Sequence, residues 1–178
     1  NTCRHAMGTT AGGSAIVVGD SSGFEAGQRV LLWQVQDDVF GVSGDQGDVT
    51  NAGVAGNWEI ATVAAIATSG LHIGLTSELV GTYSVSIFWE RLQVCTVPQF
   101  TNVTLHAGSA LSGDPWEDTE SGGLVAFFAN GTVVVDSGAR ITASGLGLHG
   151  GQANPTGVLE CGHPLSDTSN AHGGGKGE

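Results

Sequence analysis

Val103-Thr-Leu105-His-Ala-Gly108-Ser-Ala-Leu111-Ser-Gly113 and Val133-Val-Val135-Asp-Ser-Gly138-Ala-Arg-Ile141-Thr-Ala-Ser-Gly145 read as one unit written twice. Each is a short alternating strand, a glycine turn and a second short strand, and the second copy begins 30 residues after the first. Stacked β-coils have repeats of this length, because a single coil cannot bury its own apolar face and must lay it against the next. The repeat places Val103, Leu105, Leu111, Val133, Val135 and Ile141 at equivalent inward positions of a short β-helix-like solenoid over residues 98–145. Asn130-Gly131 also fits a hairpin turn, and the repeat favours the solenoid over a run of hairpins.

Upstream, short apolar runs are separated by turn residues: Ala15 to Val18, Arg29 to Val35, Trp58 to Ile66, Leu71 to Leu75, Tyr83 to Ile87 and Leu92 to Val97. The run from Arg29 is apolar on both faces for part of its length. Six strands at this spacing predict an antiparallel barrel or sandwich over residues 14–97. Pro98 ends the last strand because proline cannot donate to a ladder. Residues 1–13 are polar and end in a glycine pair, the pattern of an extended arm. From Gly145 to Glu178 ten glycines appear among few large apolar residues, so residues 146–178 read as a glycine-rich tail. No segment has a helical period, and the fold class expected is all-β.

Thirty glycines, four prolines and only 12% charged residues, beside plentiful Val, Thr and Ser, describe an ordered chain with tight turns. Seventeen acidic residues against five basic give a net charge of −12, which repels nucleic-acid phosphates and anionic membrane surfaces. No run approaches the ~20 apolar residues of a membrane-spanning helix. The start at Asn1, without a basic and apolar leader, is expected of a chain after signal removal or of a fragment. Cys3, Cys95 and Cys161 lack the paired spacing of a zinc site and are disulfide candidates: one internal bridge, of undetermined pairing, and one cysteine left over.

Phe24-Glu-Ala-Gly-Gln-Arg-Val-Leu-Leu, Gly56-Asn-Trp-Glu, Val97-Pro-Gln-Phe-Thr-Asn-Val-Thr-Leu, Ser121-Gly-Gly-Leu and Leu148-His-Gly-Gly together resemble the head region of large secreted, glycine-rich β-helical surface and fibre proteins of environmental bacteria. In that family a small β-domain leads into β-helical coils and then a glycine-rich stretch. The resemblance spans most of the chain, carries no catalytic residue, and implies a structural or adhesive role outside the cell.

Candidate sites are few. Asp37, Asp38, Asp45 and Asp48 gather four carboxylates in a glycine-rich loop of the kind from which calcium draws oxygen ligands, although the spacing is not that of an EF-hand. Trp116 beside Glu117 and Asp118 is a candidate carbohydrate contact, and Trp89 a second aromatic platform. Clustered acids on one turn lack the apolar setting that raises the pKa of a general acid, so a polysaccharide-active enzyme ranks low. His5, His72, His106, His149, His163 and His172 are scattered, Cys161-Gly-His163 being the nearest to a ligand pattern. No serine nucleophile, dinucleotide or phosphate-loop motif is present, no cofactor is implied, and the sequence predicts no enzyme. Asn102 and Asn130 fit the N-glycosylation acceptor pattern.

These readings converge on an extracellular or cell-surface structural protein whose main partner is itself. A stack of one or two coils ends in unpaired backbone, and strand or terminal exchange with another copy would build a filament or surface layer. The alternative is an adhesive or glycan-binding head domain of a longer fibre.

Overall fold

Val30, Leu32 and Gln34 lie at alternate positions and are wholly buried, whereas Leu31, Trp33 and Val35 between them point the other way. This period of two is a strand with one face in a core, and it extends to the whole first half of the chain. The computed structural model describes residues 1–9, 13–37, 41–43, 48–51, 53–85, 90–116, 121–147, 152–153 and 159–160. All regular structure among them is β: β1 (Cys3–Thr9), β2 (Ala15–Val18), β3 (Arg29–Gln36), β4 (Gly41–Ser43), β5 (Asp48–Asn51), β6 (Trp58–Ile66), β7 (His72–Leu75) and β8 (Arg91–Thr96). Six of these close an antiparallel barrel in the order β1-β2-β7-β6-β3-β8, with β4 and β5 paired as a separate hairpin. Its interior is filled by aliphatic side chains, among them Ile16, Val18, Leu32, Val63, Ile73, Leu92 and Val94. Each fully buried aliphatic residue of this kind contributes about 1.5–3 kcal/mol.

Two expectations are corrected here. Residues 1–13 are not a free arm, since β1 pairs with β2 on one side and with β8 on the other. Its polar composition hid a strand whose inward residue is only Ala6, and whose end is fixed by a disulfide between Cys3 and its cross-strand neighbour Cys95. Residues Tyr83 to Val85 are not a strand. They belong to a loop over the end of the barrel, where side chains of β3 and β6 and the residue before β6 hold its backbone. Buried Gln34 accepts from the Ser84 N–H at 3.0 Å and donates to the Ser84 carbonyl at 2.9 Å. Asn57 donates to the Thr82 carbonyl, and the Glu59 carboxylate accepts from Val80 and Gly81 N–H groups at 3.0 Å each. With those groups already bonded, alternation alone cannot make the segment a strand.

After Pro98 the pairing changes from antiparallel to parallel. The strands β9 (Gln99–Phe100), β10 (Val103–Leu105) and β11 (Ala110–Leu111) are each matched by one a repeat later: β12 (Phe128–Ala129), β13 (Val133–Val135) and β14 (Arg140–Ile141). Val103 faces Val133, Leu105 faces Val135 and Leu111 faces Ile141. The turns between the strands match too. Ser109 N–H bonds the His106 carbonyl at 3.0 Å and Ala139 N–H bonds the Asp136 carbonyl at 2.9 Å, with Gly108 at φ +83 and Gly138 at φ +85. A positive φ at the third residue marks a type II turn, where only glycine sits without strain. Beyond Gly147, β15 (Gln152–Ala153) and β16 (Leu159–Glu160) form an antiparallel pair with each other.

The coils are fastened to the barrel at defined points. Gln93 on the outer face of β8 accepts the Gly122 N–H at 2.8 Å. The Asn1 side chain donates to the carbonyls of Thr96 at 2.6 Å and Ala126 at 2.7 Å and accepts from the Ala126 N–H at 3.1 Å. The Cys3–Cys95 bridge closes the adjacent β1–β8 seam across a sequence separation of 92. A loop of that length is expected to contribute about 4–5 kcal/mol by restricting the unfolded chain. The double substitution Cys3→Ser, Cys95→Ser should lower the unfolding free energy by that amount in urea titration, and dithiothreitol should do the same to the natural chain. An unchanged midpoint in both would mean that the seam is held by its backbone ladder alone.

Candidate functional site

Val133, Val134 and Val135 are 41%, 42% and 44% exposed, and Ile141 is 43% exposed. Their partners one repeat earlier, Val103, Leu105 and Leu111, are half-buried. The equivalence of the six positions is therefore realised as parallel register, but the inward burial expected of a core is not. The second coil has the first on one side and, among the described residues, no strand on the other. An apolar row and a free backbone edge coincide there, the combination that templates pairing with another chain.

A second feature lies where the coils meet the barrel. The outward residues Leu31 and Trp33 of β3 and Trp58 and Ile60 of β6 form the floor of a groove of about 580 Å³. Val97, Val125 to Phe128, and Ile141 wall it. Trp33 and Trp58 are direct cross-strand partners, and Trp58 is 65% exposed. The Arg29 guanidinium lies 5.5 Å from the centre of the Phe128 ring, a cation over the face of one of the wall residues. Sequence reasoning did not assign a site here. The signal was the apolar character of both faces of the run from Arg29: the second face belongs to this groove rather than to a core.

The residues singled out by sequence are not brought together. Asp37 caps a turn, its Oδ2 accepting the Val54 N–H at 2.5 Å. Asp38 and Asp45 lie outside the described residues, as does the side chain of Asp48, whose backbone pairs with Ser43. Among the described residues no group of three His, Cys, Asp or Glu side chains is placed to hold a metal ion. Trp116 is only 8% exposed, too buried to offer its ring to a sugar, and its backbone N–H donates to the Leu146 carbonyl at 2.7 Å. It is buried because the segment after Gly113 folds back over β8, where Gly122 and Gly123 adopt positive φ close to the Pro115 and Leu146 carbonyls. Glu117, Asp118 and Trp89 lie outside the described residues. Of the cysteines, Cys3 and Cys95 are bonded, and Cys161 lies outside the described residues.

Polar side chains on the coils serve the repeat itself. Asn102 Oδ1 accepts the Thr132 N–H at 2.8 Å, and His106 Nδ1 meets Asp136 Oδ2 at 3.1 Å. Each joins residues exactly one repeat apart. No helix of the described residues is long and apolar enough to cross a membrane.

Comparison with protein-family models, with curated proteins and with solved structures finds no match. The resemblance to secreted β-helical surface proteins rests on the sequence motifs alone.

Because Val135 is nearly half in solvent, Val135→Asp should leave the barrel folded. The cost expected is about 1 kcal/mol, that of a surface strand position. Loss of cooperative unfolding in this variant would show that the valine is core after all.

Proposed function

We propose that the protein is an exported structural subunit that assembles into an extracellular filament or surface layer through the free edges of its coils. The observation that carries this reading is the open second coil, where three consecutive valines and Ile141 are exposed along an edge that has no partner strand among the described residues. A single chain that ended its function as a monomer would gain from blunting such an edge with charge, proline or a covering loop. Contacts between unlike ends of identical subunits propagate into filaments when their rotation does not close. The buried Cys3–Cys95 bridge fits an oxidising compartment, and the acidic surface fits a particle that must stay soluble before assembly. The arm at residues 1–13 has no part in this reading, since β1 is a barrel strand.

Polymers are the expected outcome when purified protein is concentrated, visible by negative-stain microscopy and as a concentration-dependent sedimentation coefficient. A monodisperse monomer up to millimolar concentration would overturn the proposal.

The aromatic groove favours a second reading, an adhesive or glycan-binding head. Its volume lies within the range of small-ligand sites, and its two tryptophans offer flat faces to the C–H surfaces of a sugar ring. In that case surface polysaccharides should change the tryptophan fluorescence, and Trp33→Ala and Trp58→Ala should abolish the change without altering the barrel's stability by more than about 1 kcal/mol. Absence of any spectral response across a glycan panel would remove this reading.

A further inference from the structure

We infer that the open edge of the second coil receives the first coil of another copy of this chain, in the register that the two coils already hold within one chain. This rests on the assembly reading above and specifies its contact. Val103 N–H bonds the Thr132 carbonyl at 3.0 Å, and Asp136 N–H bonds the Leu105 carbonyl at 2.9 Å. In a parallel ladder of that phase Val103 and Leu105 turn both backbone groups toward the second coil, and Val134 turns both of its own toward the first. Thr104 therefore presents its N–H and carbonyl on the outer edge of the first coil. Val133 and Val135 present theirs on the outer edge of the second.

Those two outer edges match each other as the inner edges do. Thr104 of a second copy would sit against Val133 and Val135 as Val134 sits against Val103 and Leu105 within the chain. The stacked glycine turns continue the same way, with Gly108 N–H bonded to the Gly138 carbonyl at 3.2 Å as the pattern to be repeated. The His106–Asp136 contact also recurs. Asp136 on the open coil would meet His106 of the incoming copy, as it meets His106 of its own chain at 3.1 Å. Leu111 of the incoming copy would cover Ile141, and Val103 and Leu105 would cover Val133 and Val135.

The sequence one repeat further on does not carry the same features. A further step of 30 residues puts Pro164 where Val134 stands, and proline has no N–H to give to the Val133 carbonyl. The same step puts Thr168 where Gly138 stands, at a turn position that needs positive φ. Leu159, which the same step puts where Ala129 of β12 stands, instead pairs antiparallel with Ala153. A second copy of residues 99–111 supplies an N–H at the critical position and a glycine at the turn. It is the better fit on both counts.

The test uses two variants of the full chain, each with Cys161→Ser so that the Cys3–Cys95 pair is the sole background. One carries Thr104→Cys and the other Val134→Cys, residues that face each other within one chain and are separated here onto different chains. The two are given tags of different length, mixed, and treated with a short bismaleimide under polymerising conditions. Heterotypic dimers on a denaturing gel are expected from the mixture, and none from either variant alone. Polymers without the heterotypic dimer would overturn this register and leave the assembly reading standing, whereas monomers throughout would remove both. As a second readout, Asp136→Lys should slow polymer growth several-fold, and adding His106→Glu should restore it by reversing the pair. Growth unaffected by either change would count against the register.

Discussion

The seam between β1 and β8 is the interaction on which the other parts depend. Three residue pairs, Cys3 with Cys95, Arg4 with Val94 and His5 with Gln93, turn an open sheet into a barrel. Closure buries Leu92 and Val94 on the inside of β8. It also brings Asn1 beside Thr96 and Ala126, so that the side chain of one terminal residue spans barrel and coil. Gln93 in the same strand receives Gly122. The position of the coils, and with it the aromatic groove, follows from the strand that completes the barrel.

Barrel and coils treat strand edges in opposite ways. In the barrel every edge of its six strands is paired, which removes the hazard of association through backbone. In the coils each strand has one partner a repeat away and its other edge free among the described residues. The apolar side chains divide in the same manner: Ile16, Leu32, Ile73 and Leu92 are sealed inside the barrel, and Val133 to Val135 and Ile141 are half in water.

Several polar side chains have structural work that the geometry makes plain. Asp37 caps a turn, Gln34 and Glu59 hold a loop over the barrel end, and Asn102 and His106 tie one coil to the next. Asp20 has its carboxyl held below the usual range, first by hydrogen bonds from Ser22 and then by Arg4, and this too secures a turn. Burial, with the Glu59 carboxylate nearby, pushes the Tyr83 phenol up.

Much of the fold was legible in local pattern. Alternation marked β2, β3, β6, β7 and β8, and the 30-residue repeat marked which residues of the two coils would face each other, down to Val103 with Val133 and Leu111 with Ile141. Period and turn chemistry are properties of neighbouring residues, so the sequence carries them openly. Tertiary structure decided what depends on distant partners. It made a barrel strand of the polar residues Cys3 to Thr9, because β2 and β8 supply the two ladders and Cys95 the bridge. It denied strand pairing to Tyr83 to Val85, because Gln34 had already claimed the backbone of Ser84. It buried Trp116 and left Trp58 exposed, since the fold-back of the chain after Gly113, not the character of the indole, determines which one meets water.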